Sequence, residues 1–293
     1  MTTTAGGAGG VGGARSVTIR EGGRLCCYRE SAAEPGYWER LWQANPPRRM
    51  RNQRIERRLR GPFLRSLPRD GLIVEAGCGN GNIVRTMANE GFEVEGLDFA
   101  PEAVEASRRI DPAGRYTRGD VRALPYGDGT LAGYVSLGVV EHFGADDRAT
   151  ILREAWRCLR PGGVAVVTTP YFSPLRRALS RLGWYRGESA GLPVYQYHFG
   201  ARELRGMVRD AGFEVVRTDW YDAYKGVKDT LGGKRLMDWA RDRSRWAAGV
   251  IEHPPALVRA LCAHMVMVVA RKPRVVGGRA FVDGGGGAGR RAA

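Results

Sequence analysis

Histidine and lysine are scarce in this chain of 293 residues: there are four histidines, and 42 of the 46 Lys/Arg residues are arginine. Five cysteines, Cys26, Cys27, Cys78, Cys158 and Cys262, form no Cys-x-x-Cys pair and no zinc-binding spacing. Their number is odd, and Cys158 and Cys262 sit inside apolar periodic segments. A disulfide framework is therefore not expected, and a reducing cytoplasm is the expected setting. No long hydrophobic run is present either. The most apolar late stretch, Pro255 to Ala270, is broken by Arg259 and His264 and falls short of a bilayer span. The Gly/Ala/Thr-rich start, Met1 to Arg15, lacks the apolar centre of a secretory leader. A soluble protein is the expectation.

What is present is an apolar content of 43%, enough for a substantial core in one large α/β domain or two small ones. Charge is unevenly placed. Residues 1–71 hold 14 Lys/Arg against 6 Asp/Glu, residues 72–170 hold 10 against 14, and residues 171–293 hold 22 against 11. Basic flanks of this kind suit nucleic acid, an anionic substrate or a membrane surface. Arginine dominance in a Gly/Ala-rich chain is also what a GC-biased genome produces, so charge alone does not select among these partners.

Residues 1–15 and 277–293 read as low-complexity disordered tails. Between them strands and helices alternate: strand 72–76, helix 81–90, strand 92–97, helix 101–109, strands 115–118 and 133–138, helix 146–159, strand 163–169, helix 201–211, then strands 213–218 and 264–271. Pro101 opens one helix, while Gly91 and Gly212 close two others. Such alternation predicts a Rossmann-like, doubly wound, mostly parallel sheet. Residues 16–71 form an N-terminal segment expected to be helical, with Tyr37, Trp38 and Trp42 on one face for packing and an Arg-rich helix over 48–60. The main domain spans 72–276, with inserts at 170–200 and 219–262. Ligands bind beyond the carboxyl ends of such strands, so the N-terminal segment and the first insert are the expected lid and substrate pocket.

The chemistry centres on Leu-Ile-Val-Glu-Ala-Gly-Cys-Gly-Asn-Gly, residues 72–81. A buried strand ends in an acid, Glu75, and breaks into Gly77, Gly79 and Gly81 before helical spacing resumes at Ile83, Val84 and Met87. This is a strand, turn and helix start that presents backbone N–H groups to a ligand. Asp98 ends the second strand, where a carboxylate can accept from a ribose diol. Asp120 and Val121 follow the third strand, where an acid and an apolar side chain suit an adenine ring. The fourth strand leads into Val139-Val140-Glu141-His142-Phe143, and Leu159-Arg160-Pro161-Gly162-Gly163 is a tight turn feeding the next strand.

With these motifs the chain resembles class I S-adenosylmethionine-dependent methyltransferases, of the broad group that includes quinone-biosynthesis and other small-molecule enzymes. The resemblance covers roughly residues 72–218 and the last strand. It implies a seven-stranded sheet whose last strand is antiparallel and inserted between the fifth and sixth. It also implies S-adenosylmethionine as methyl donor and S-adenosylhomocysteine as product. Glu75 and Gly77, Cys78, Gly79, Asn80 and Gly81 would hold the methionine end and Asp98 the ribose. Phe99, Asp120 and Val121 would flank adenine, with Leu137 near the sulfonium. A nicotinamide-binding domain, which also uses a glycine turn and a ribose acid, has the spacing Gly-x-Gly-x-x-Gly. Here the spacing is Gly-x-Gly-x-Gly.

Methyl transfer mainly requires alignment of nucleophile, methyl and sulfur. A hydroxyl or acidic-carbon acceptor also needs a base, and His142 and His198 are the candidates because both adjoin the expected pocket. Glu141-His142 can equally serve local capping, Cys78 reads as a small turn residue, and Tyr171, Tyr195 and Tyr197 could orient an acceptor. The expected acceptor is a small molecule or glycan precursor, with the methylated atom and the oligomeric state left open. The alternative is an RNA or other nucleic-acid methyltransferase using the basic flanks. Against it, the strand-four site lacks an Asn/Asp-Pro-Pro-Tyr/Phe signature, and no Pro-Cys nucleophile motif occurs. No metal is called for.

Overall fold

A computed structural model describes residues 16–21, 23–30, 35–44, 57–189, 191–231, 239, 243–244 and 254–274. Its framework is a seven-stranded sheet in the order β5-β4-β3-β6-β7-β10-β9. The strands are β3 (Ile73–Ala76), β4 (Val94–Asp98), β5 (Arg115–Arg118), β6 (Leu131–Leu137), β7 (Leu159–Pro170), β9 (Glu214–Tyr221) and β10 (Met265–Arg271). β3 pairs in parallel with β4 and β6, β4 with β5, and β6 with β7. β10 runs antiparallel to both β7 and β9. The expected doubly wound sheet with its inserted antiparallel strand is what forms.

Its central strands are buried on both faces, as runs such as Val164–Thr168 require. One side carries a core built around Val74, Leu97, Tyr134, Ile151, Val167 and Leu204. The other is built around Phe63, Ile73, Val84, Met87, Val135 and Met267. The helices are α2 (Arg57–Ser66), α3 (Asn82–Asn89), α4 (Pro101–Ile110), α5 (Ala145–Cys158), α6 (Pro174–Arg181), α7 (Ala201–Asp210), α8 (Ala223–Leu231) and α9 (Ala256–Cys262). α1 (Pro35–Ala44) packs against α4.

The N-terminal segment departs from the helical expectation. It opens with an antiparallel hairpin, β1 (Ser16–Glu21) and β2 (Arg24–Arg29), and β2 then pairs with β8 (Val194–His198) from the 170–200 insert. The sequence signal was Val17 and Ile19, a Gly22-Gly23 turn, then Leu25 to Tyr28: β-branched and apolar residues around glycines. Gly23 adopts φ 79° there. Most of the expected helix 48–60 lies outside the described residues, and α2 begins at Arg57. The three-stranded cap is tied to the main sheet at the end of β7. Phe199 N–H donates to the Pro170 carbonyl at 2.9 Å, and Phe172 N–H donates to the Phe199 carbonyl at 2.9 Å.

Candidate functional site

The glycine turn is held from below by two carboxylates. Gly77 and Cys78 donate their N–H groups to the Leu97 carbonyl at 2.7 and 3.0 Å, which folds the turn over the end of β4. Asp98 Oδ2 accepts from Gly79 N–H at 2.8 Å and Oδ1 from Ala100 N–H at 3.0 Å. Glu75 Oε2 accepts from Val84 N–H at 3.0 Å, in the first turn of α3. Gly77, Gly79 and Gly81 have φ of 80°, 50° and 67°, the left-handed region that favours glycine. Space excludes side chains as well. A Cβ at Gly77 would lie 2.5 Å from Val139 Cγ2, and one at Gly81 would lie 2.6 Å from Tyr116 Cε1. Asn80 Oδ1 accepts from Asn82 N–H at 3.3 Å and the Asn80 carbonyl from Arg85 at 2.8 Å.

Burial sets the electrostatics of these acids. Glu75 is 4% exposed, and burial, with the nearby Asp98 charge adding to it, pushes its carboxyl up to about 8 against the opposing Val84 N–H. Burial also raises Asp98, while the N–H donors of Ala100, Gly79 and Phe99 hold it down. The Cys78 thiol is raised well above its ordinary value, chiefly by burial, so its reading as a small turn residue stands on physical grounds.

Asp120 lies beside Asp98, because Gly119 N–H donates to the Asp98 carbonyl at 2.9 Å. Its carboxylate is engaged otherwise than the sequence alone would indicate. Arg122 grips both oxygens, with Nη2 2.7 Å from Oδ2 and Nε 3.1 Å from each. That hydrogen bonding holds Asp120 below the usual carboxylate range. Val121 is buried in the core and Leu137 is half-buried at the end of β6. Phe99 is half-buried, its carbonyl accepting from Arg118 Nε at 3.3 Å. The fold therefore brings Glu75, Gly77 to Gly81, Asp98, Phe99, Asp120 and Leu137 to one sheet edge. The cradle fits the cofactor implied by the resemblance. Close backbone approach is kept open by glycines, and Asp98 spends only part of its roughly four lone-pair sites on its own turn, leaving capacity for a diol.

The second half of the site lies at a 3₁₀ turn, Val140–His142, after β6. His142 Nδ1 lies 2.7 Å from the Tyr195 carbonyl on β8. A carbonyl only accepts, so Nδ1 carries the proton and Nε2 keeps its lone pair. The imidazole stands edge-on to Trp38, at 5.0 Å between centroids, and to Tyr195, at 4.9 Å. Arg29 of β2 lies over the Tyr195 ring at 4.3 Å. Burial lowers His142 to about 4, against the opposing Tyr195 carbonyl, and Arg29 lowers it further. Trp38, read from sequence as packing, packs against Tyr37, Tyr195 and this histidine. Arg148, a residue the sequence did not single out, is 4% exposed and donates to the Phe143 carbonyl at 2.5 Å. Its guanidinium sits 5.0 Å from the Tyr197 ring and 5.1 Å from that of Phe199, fastening the cap strand to the 3₁₀ turn.

His198 occupies a different environment. Strand alternation sends Tyr195 and Tyr197 to one face of β8 and His198 to the other. His198 is buried, with Nδ1 3.2 Å from Arg176 Nη1, and burial followed by the Arg176 charge drives it well below its ordinary value. Arg176 Nη2 in turn reaches His264 Nδ1 at 3.0 Å. Tyr171 is buried at the end of β7, beside Phe199.

Glu141 is the least comfortable group in the site. It is 2% exposed, its Oε2 has no hydrogen-bond partner among the described residues, and burial pushes its carboxyl up to about 8. The unfolded chain releases this proton near the ordinary glutamate range, whereas the folded chain keeps it. Stability is thus full below about pH 4.5 and drains away as pH rises toward 8. Glu141→Gln, isosteric and uncharged, is expected to raise unfolding free energy at pH 7 by about 3 kcal/mol and change little at pH 4.5. Urea titration at both pH values checks this. A gain of equal size at both would mean that the carboxyl is not held neutral.

The family pattern described as methyltransferase domain matches residues 74–167. A probable S-adenosylmethionine-dependent methyltransferase from Mycolicibacterium smegmatis is 33% identical over 147 residues, covering 50% of this chain and 53% of the relative. A malonyl-[acyl-carrier protein] O-methyltransferase from Enterobacter lignolyticus is 30% identical over 125 residues, 42% of this chain and 49% of the relative. The chain thus spans about half the length of these curated relatives. Among solved structures, a SAM-dependent methyltransferase from Methanosarcina mazei aligns with TM-score 0.52 at 15% identity, over 75% of this chain and 99% of that one. The PH0226 protein from Pyrococcus horikoshii aligns with TM-score 0.52 at 15% identity, over 79% and 98%. These likenesses concern the fold.

Proposed function

We propose that this chain, which carries a class I S-adenosylmethionine-dependent methyltransferase domain, methylates a hydroxyl of a small-molecule or glycan-precursor acceptor held between the 3₁₀ turn and the cap. The observation that carries the reading is His142, whose Nδ1–H is committed to the Tyr195 carbonyl, leaving Nε2 as proton acceptor beside Trp38 and Tyr195. When bound, S-adenosylmethionine supplies an electrophilic methyl on a sulfonium that departs as a neutral thioether. Glu75 and Asp98 shape the turn that would hold its methionine and ribose ends, and Phe99, Asp120 and the largely buried Val121 would flank its adenine. Asp120 would do so while gripped by Arg122.

His142 Nε2 takes the acceptor's proton as the oxygen–carbon bond forms. A base lowered to about 4 is unprotonated throughout the neutral range but a weak proton acceptor, so in this reading the acceptor's proton moves to it only as the oxygen–carbon bond forms. Trp38, Tyr195 and Arg29 belong to the cap and wall this histidine, which supports treating the β1–β2–β8 sheet with α1 as the acceptor lid. His198, on the other face of β8, acts in this reading through Arg176 as part of the lid's scaffold. The malonyl-[acyl-carrier protein] O-methyltransferase relatives are named for transfer to an oxygen of an acyl group carried on a protein, which supports an oxygen acceptor over nucleic acid.

The test is transfer of labelled methyl from S-adenosylmethionine into fractionated extract. Label is expected in a low-molecular-weight or glycan fraction, stable to mild treatment as an ether. Label confined to nuclease-sensitive material would overturn the acceptor class. Label recovered on nitrogen as an N-methyl group, with no dependence on His142, would overturn the hydroxyl.

A further inference from the structure

Among the described residues, five of the eight exposed large apolar side chains lie on two neighbouring elements, the other three (Trp156, Val216 and Trp239) being elsewhere. Leu182 is 80% exposed and Trp184 52%, both in the turn that follows α6. Leu257 is 70% exposed, and Val258 and Leu261 are exposed with it on α9. α9 packs against α6, so the two groups belong to neighbouring elements. Leu257, Val258 and Leu261, at spacings of one and four, share one face of a helix that buries Cys262 at its last turn. Single exposed leucines need no explanation; five large apolar groups on two packed elements do.

Charge specifies what covers them. Residues 174–187 contain Arg176, Arg177, Arg181 and Arg186 and no acid, and residues 254–263 contain Arg259 and no acid. Arg177, Arg181 and Arg186 are exposed, whereas Arg176 is buried. A second copy of this surface would set these guanidinium groups against each other. Nucleic acid would satisfy the arginines and leave Leu182, Leu257 and Leu261 in water. The boundary of an anionic bilayer satisfies both, since acyl chains take the leucines, headgroup phosphates take the arginines, and Trp184 with Tyr185 suits the interface between them. Among the described residues no helix is long and apolar enough to cross a membrane, so the contact is peripheral.

We infer that the α6 turn and α9 form a docking surface for an anionic lipid bilayer. The same α6 insert supplies β8, so docking brings the lid strand close to the membrane. The inference stands independently of the methyl acceptor.

Vesicle flotation of the full chain tests it, using phosphatidylcholine alone and phosphatidylcholine mixed with phosphatidylglycerol. The wild type is expected to float with the mixed vesicles at low salt, weakly at high salt, and not with neutral vesicles. Leu182→Asp combined with Leu257→Asp is expected to weaken binding about tenfold or more. Arg181→Glu with Arg186→Glu should do the same. S-adenosylhomocysteine binding serves as the control for folding. Quenching of tryptophan emission by brominated acyl chains, diminished in Trp184→Phe, gives a readout that needs no polar substitution. The inference falls if the wild type ignores anionic vesicles at low salt. It falls equally if the double leucine variant binds like the wild type, since the arginines and tails would then suffice. Loss of a self-association or of RNA binding in that variant, without vesicle binding in the wild type, would assign the surface elsewhere.

Discussion

Asp98→Ala should weaken S-adenosylhomocysteine binding by at least about 100-fold, measured by calorimetry. The carboxylate does two jobs. In the folded chain it accepts from Gly79 and Ala100 N–H groups. An unsatisfied buried donor costs about 1–3 kcal/mol. The loop carrying Gly79 therefore loses its anchor even before ligand arrives. The remaining lone pairs are those that would receive the ribose hydroxyls, and a charge-assisted hydrogen bond contributes about 1.5–3 kcal/mol. Loss of anchor and ligand contacts together exceeds the ~2.7 kcal/mol that corresponds to 100-fold. Asp98→Asn keeps one acceptor oxygen and should fall between, near tenfold. Because burial raises this carboxyl, affinity should also decline on acidification earlier than an ordinary aspartate would impose.

Asp120→Ala is the contrast. Its side chain is 41% exposed and already satisfied by Arg122. Loss of an exposed acid of this kind should change affinity only a few-fold. Equal losses at both positions would show that Arg122 releases Asp120 on binding. Wild-type affinity in Asp98→Ala would mean the nucleoside lies elsewhere.

The difference between those two acids shows how far the sequence could be read. Glycines at alternate positions, with an acid before them and another ending the next strand, leave few folds open, because each glycine answers a backbone constraint. The structure bears that out at Gly77 and Gly81, where a Cβ would meet Val139 and Tyr116. Interior strands were legible because apolar runs such as Val164–Thr168 suit a sheet buried on both faces, whereas the order, with its inserted antiparallel strand, came only from the resemblance. Asp120 and Arg122 were equally visible in the sequence, but spacing does not say whether an acid faces a ligand or its neighbour two residues on. The cap was the larger omission. β2 finds its partner in β8, far along the chain, and no local pattern reports such a pairing. His142 and His198 looked alike in sequence because both adjoin the expected pocket. They separate only once β8 sets Tyr195 toward one and Arg176 toward the other.

That separation gives the second large effect. His142→Ala is expected to lower turnover on a hydroxyl acceptor by about 10²–10⁴-fold, the range for loss of a general base, while leaving S-adenosylhomocysteine affinity unchanged. The sign of the pH dependence is fixed by burial. A histidine lowered to about 4 is neutral above that value. Turnover of the wild type should therefore be flat from about pH 5 through neutrality and fall only as pH drops through 4. An unperturbed histidine would produce the fall near 6.5. His142→Gln can fill part of the space against Trp38 but cannot take up the proton, so it should lose turnover like alanine while preserving thermal stability better. His198→Ala should behave the opposite way. It removes a buried partner of Arg176 and lowers stability, with a much smaller effect on turnover per folded molecule. If His142→Ala retains turnover within about threefold, no base acts at this position, and the acceptor must be a nucleophile that needs none, such as a neutral amine.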